Sequence, residues 1–125
     1  MSNTPPVLKI KLQVFCGEEI AMGPGKALLL EAIDTHGSIS AAARAIGMSY
    51  RRAWLLVDVM NRCWTKPLVE TAPGGTARAG ARVTPFGSDV LRWFRAMQEQ
   101  AEGLCDGDGW SALQRHVRGV PKDHR

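Results

Sequence analysis

The chain has 125 residues, 45% of them hydrophobic and 22% charged, with a net charge of +4; such totals fit one folded domain and exclude wholesale disorder or two domains of ordinary size. Three cysteines without paired spacing argue against a disulfide framework and a zinc site, and no run approaches the roughly 18 apolar residues that a membrane span needs. A cytoplasmic protein with no membrane association, metal or cofactor is expected.

Along the chain, VLKIKLQVF alternates Leu8, Ile10, Leu12 and Val14 against Lys9, Lys11 and Gln13, the period of a half-buried strand. With IAM as a return arm it predicts a hairpin over residues 7 to 22, stopped by the Gly23–Gly25 turn. KALLLEAIDTHG, from Lys26, predicts a helix with Leu29, Ala32, Ile33 and His36 at helical spacing and Gly37 at its end. Ser38 is placed to cap a short helix, ISAAARAI, whose alanines permit close approach and which Gly47 ends. After the link GMS, Ser49 caps a third helix running to Cys63 or Trp64. Ala53, Val57, Met60 and Trp64 face the core, while Arg51, Leu55, Asp58 and Arg62 lie opposite, flanked by Arg52 and Val59.

Leu68 to Thr71 and Arg82 to Thr84 predict two short strands around a tip rich in Gly, Ala and Arg. Thr84 and Pro85 then open a long helix in which Val90, Phe94, Met97, Ala101 and Leu104 recur at alternating spacings of four and three. That stripe, with Trp93 beside it, predicts a seam for a second copy of the helix, and so a homodimer. Residues 106 to 125 read as a mobile tail, which leaves 1 to 105 as the domain.

Helix, short helix, tight turn, capped helix and basic hairpin, in that order, make up a winged helix-turn-helix: mainly α with small β elements, preceded by a β-hairpin and followed by a dimerisation helix. Such a helix enters the major groove of double-stranded DNA by its first turn, which must carry long, donor-rich side chains. Ser49, Tyr50, Arg51 and Arg52 fill that turn, with Ser38 and Ser40 at the start of the preceding helix as further candidate contacts. Arginine suits the place because its planar fork matches a guanine edge or bridges a phosphate. The loop from Gly74 to Gly80, with Arg78 in it and Arg82 just beyond, is the expected wing. Trp54, Trp64, Trp93 and Phe94 are expected in the core or at the dimer contact rather than as a base-stacking platform. The histidines are scattered, and no serine has a histidine and an acid in a recognisable arrangement, so no catalytic apparatus is expected.

From about Leu8 to Gly103 the chain resembles the N-terminal DNA-binding domain of molybdate-responsive transcription regulators of the ModE type. The motifs are GSISAAARAIGMSYRRAW (Gly37 to Trp54), MNRC (Met60 to Cys63), LVET (Leu68 to Thr71) and GGTARAGARVTPFG (Gly74 to Gly87). Its helix-turn-helix is also similar to that of LysR-type regulators. The resemblance implies a homodimer bound to a partly palindromic operator and a transcriptional role in molybdate or related oxyanion metabolism. Regulators of this type continue into oxyanion-binding domains, whereas this chain stops soon after the seam, so any molybdate response is expected through a separate sensor protein or through the amount of protein made. Two rival functions compete with this one. A winged-helix protein-interaction module would use Leu55, Leu56 and Val59, and a direct oxyanion binder would use helix N-termini such as Ser49 to Arg52.

Overall fold

A computed structural model describes residues 4–72 and 80–124. In chain order it holds β1 (Val14–Cys16), β2 (Glu19–Met22), α1 (Pro24–His36), α2 (Ile39–Ala45), α3 (Tyr50–Cys63), β3 (Val69–Thr71), β4 (Ala81–Val83), α4 (Pro85–Glu102), a 3-10 turn (Gly103–Asp106) and α5 (Asp108–His116). This is an α+β chain with an N-terminal hairpin and two separate two-stranded antiparallel sheets, compatible with a winged helix. It divides into two compact units, one of Lys11–Arg95 and one of Met1–Ile10 with Ala96–Arg125.

In the first unit, β1 is much shorter than the strand expected from Val7. The reason is its partner: β2 has only four residues before Gly23 caps α1 and Pro24 opens it, and the pairing is interrupted between Val14 and Phe15. The alternation survives without the pairing, since Leu12 and Val14 are half-buried and Lys11 and Gln13 exposed.

The core is built from Leu29, Leu30 and Ile33 of α1, Ala42 and Ala43 of α2, Ala53, Val57 and Met60 of α3, and Met22, Leu68, Val90 and Phe94. Alanine pairs on α2 remove the side-chain bulk that would hold neighbouring helices apart. Of the helix-spaced residues of α1, Leu29, Ala32 and Ile33 are buried and His36, in the last turn, is exposed. Trp64 is half-buried at the core's border, where its indole N–H donates to the Ala21 carbonyl at 2.9 Å; a buried indole needs such a partner.

The helix boundaries follow local chemistry. Gly37 adopts φ 76°, a left-handed conformation that side chains resist, and its N–H closes α1 on the Ile33 carbonyl at 2.8 Å. Ser38 caps α2 by accepting from the Ala41 N–H at 3.0 Å. Thr84 caps α4: its hydroxyl donates to the Pro67 carbonyl at 2.8 Å and accepts from the Gly87 N–H at 2.9 Å. Gly87 is forced by packing, because a Cβ there would sit 2.3 Å from the Leu68 carbonyl oxygen.

The seam needs correction. Val90 and Phe94 are buried in the chain's own core, so half of the stripe is already covered. Leu104 lies in the 3-10 turn rather than on the helix, since α4 ends at Glu102. In the second unit no described residue from Ala96 onward is buried, although α5 is a helix of nine residues. Among the described residues no helix is long and apolar enough to cross a membrane.

Candidate nucleic-acid interface

The first turn of α3 is built by its cap. Ser49 stays extended, with φ −69° and ψ 152°, and its hydroxyl accepts from the Arg52 N–H at 3.1 Å. No acidic residue occupies that turn, so the positive end of the helix is not neutralised from within. Tyr50, Arg51 and Arg52 are all exposed there. At about 100° per residue, Arg51, Leu55, Asp58 and Arg62 share the side opposite the buried Ala53, Val57 and Met60. Arg62 is engaged on that side, its Nε donating to Asp58 at 3.0 Å. Leu55, 45% exposed, puts an isobutyl group among these charges.

Trp54 does not lie in the core of the chain: it is 48% exposed. One residue past Ala53, it is turned about 100° away from the buried line. With Tyr50 it forms one wall of an open cleft of about 390 Å³, whose other walls are Ser38, Ile39 and Ser40 of the α2 start and Thr71, Ala72 and Ala81 at the base of the β3–β4 hairpin. The α2 start, α3 and the wing base thus border one space.

Asn61, which the sequence patterns did not single out, holds that arrangement. Its Oδ1 accepts from the N–H groups of Leu68 at 2.9 Å and Val69 at 3.1 Å, and its Nδ2 donates to the Val69 carbonyl at 3.0 Å. The wing is therefore tied to the last turn of α3 by a side chain with no periodic signature. Its only sequence trace is membership of the MNRC motif. From the other side, the Ala81 N–H donates to the Gly37 carbonyl at 2.9 Å and fixes β4 to the α1–α2 turn.

Of the expected wing residues, Arg78 lies outside the described residues. Arg82 is exposed and pairs with Glu70, its register partner across the hairpin, at 2.9 Å from Nη2 and 3.2 Å from Nε. An exposed pair of this kind is weak and yields readily to a stronger anion. Ser38 spends one lone pair on its cap, and Ser40 is half-buried beside the cleft. Among the expected dimer residues Trp93, Met97 and Leu104 are exposed, Ala101 is half-buried, and the Arg92 guanidinium lies 6.0 Å from the Trp93 ring centroid. Among the described residues no group of three or more His, Cys, Asp or Glu is placed to hold a metal.

Chemically, the site offers two exposed guanidinium forks and a phenol at a Ser49-capped helix start with no acidic residue in its first turn, an aromatic wall, and a hairpin with a weakly held arginine. No family model matches the chain. It is similar to the molybdenum-pterin-binding protein MopA of Rhodobacter capsulatus, at 36% identity over 110 residues, 86% of this chain and 41% of that protein. It is similar to the DNA-binding transcriptional dual regulator ModE of Escherichia coli K12, at 32% identity over 106 residues, 82% of this chain and 39% of that protein. The molybdenum transport protein ModE of Azotobacter vinelandii is 34% identical over 86 residues. The chain spans about two fifths of the first two proteins and 32% of the third.

Proposed function

On the premise that this chain belongs with the ModE-type proteins through the segment it shares with them, we propose that it binds double-stranded DNA in a sequence-specific way and regulates transcription of genes concerned with molybdate or a related oxyanion. The carrying observation is the Ser49-capped start of α3, where Tyr50, Arg51 and Arg52 stand exposed together without an acidic neighbour in the turn. Arg51 and Arg52 supply donors to base edges and phosphates. Arg82, released from Glu70, contacts the backbone from the wing, and Arg78, outside the described residues, is the further wing candidate. Ser38 and Ser40 line the approach. The same proposal includes a homodimer held through Trp93, Met97, Ala101 and Leu104, a cytoplasmic location, and a separate sensor protein that carries the oxyanion signal.

The protein-interaction reading has less support: of Leu55, Leu56 and Val59, only Leu55 is exposed, and the other two are half-buried. The name of the MopA relative favours a molybdenum-binding alternative, so the test includes molybdate. Selection of duplexes from a random pool, followed by sequencing, is expected to enrich a partly palindromic motif with half-sites about 34 Å apart or a multiple of that. A pool that stays random, with or without molybdate at fixed ionic strength, contradicts the proposal.

A further inference from the structure

On the flank of α3 away from the wing base lies a second cleft, of about 350 Å³. Arg52 and Leu56, which face it, are turned about 200° around the helix from Tyr50 and Trp54, which face the first. Three cations from three separate elements reach this cleft: Lys11 from the lead into β1, Lys26 from the first turn of α1, and Arg52 from the first turn of α3. Gln13 lies among them, and no carboxylate lines the space. Burial lowers the pKa of Lys26, and the nearby Arg52 charge adds to that; Glu19 and Cys63 act in the opposite direction. Gathering like charges in a partly desolvated place is unfavourable unless an anion completes it.

A helix lying in the major groove has phosphates on both walls, and phosphate contacts on either side set its register. From the convergence of Lys11, Lys26 and Arg52 on this cleft we infer that it takes a backbone phosphodiester of duplex DNA, on the groove wall opposite the one met by the wing. The inference rests on the DNA-binding reading and deepens it. It divides the labour of the two arginines: Arg51, at the centre of the outward side, reads the groove, whereas Arg52 grips the backbone with two lysines.

The test is the salt dependence of affinity for a fluorescent mixed-sequence duplex. Each lost phosphate contact flattens the slope of log affinity against log salt by about 0.9, so Lys11→Gln with Lys26→Gln, which loosens the grip on one phosphodiester, flattens it by up to about 0.9. The double Lys→Arg variant at the same positions keeps the wild-type slope, which separates loss of charge from loss of fold. Lys122→Gln, an exposed lysine outside the cleft, also keeps it. Inorganic phosphate at fixed ionic strength leaves binding unchanged. The inference is overturned if the double Gln variant has the wild-type slope, if Lys122→Gln flattens the slope equally, or if inorganic phosphate abolishes the lysine-dependent part. A wild-type protein that binds no duplex removes the functional proposal as well; one that binds with a slope indifferent to both lysines removes this inference alone.

Discussion

The two ends of the stripe on α4 have opposite surroundings. Val90 and Phe94 are 2% and 3% exposed, whereas Met97 is 48% exposed, Leu104, beyond the helix end, 61%, and Trp93, beside the stripe, 53%. All carry large apolar groups, and the stripe itself runs on without a break in the sequence. What differs is the cover: Val90 and Phe94 belong to the cluster formed with α1, α3 and Leu68, and no described residue beyond Arg95 is buried. Periodicity reveals which side of a helix is apolar. It carries no information on whether the chain itself or a second molecule covers that side.

This contrast breaks most visibly at Phe94. Phe94→Ala is expected to cost about 3–5 kcal/mol of folding stability through lost burial and a residual cavity; urea unfolding measures it, and a cost under about 1 kcal/mol would mean that the ring is not a core group. Asn61→Ala comes next. It strands the N–H groups of Leu68 and Val69 and the Val69 carbonyl, for an expected loss of about 2–3 kcal/mol. Faster amide exchange at Leu68 and Val69 in that variant would locate the damage at the wing base.

The exposed end of the stripe sharpens the comparison in the other direction. If a second copy covers Trp93, Met97 and Leu104, then Met97→Lys weakens dimerisation at least tenfold, about 1.4 kcal/mol, and sedimentation shifts toward the 13.6 kDa monomer. An unshifted dimer would place its interface elsewhere. The smallest effect belongs to Leu104→Ala in the monomeric Met97→Lys background, where stability stays within about 0.5 kcal/mol of that background.

Much of the first unit was legible because its signals are local. Ser38, Ser49 and Thr84 cap the helices they precede, Gly37 takes the left-handed φ that its position suggests, and Ala53, Val57 and Met60 are buried as their spacing implies. The misreadings share a cause in partners distant along the chain. The strand from Val7 stays short because β2 ends at the α1 cap. Trp64 packs against the core from its border, where its N–H donates to the Ala21 carbonyl. Trp54 shows how coarse a residue-type argument is: a tryptophan between buried Ala53 and exposed Leu55 follows the helix rotation and not the average preference of its side chain. Asn61 had no periodic signal, since its bonds join a helix to a strand start seven and eight residues on.

The central claim is that the first turn of α3 reads DNA, and the most direct measurement compares wild-type protein with the Arg51→Ala/Arg52→Ala variant on a selected duplex at matched salt. Both side chains are exposed, so the variant should keep the wild-type unfolding midpoint. The account predicts a loss of about 1–3 kcal/mol from Arg51 if it grips a base edge, with relaxed preference at that base, and a further loss from Arg52 with a flatter salt slope. A folded double variant that binds the duplex as tightly and as selectively as wild type would contradict it.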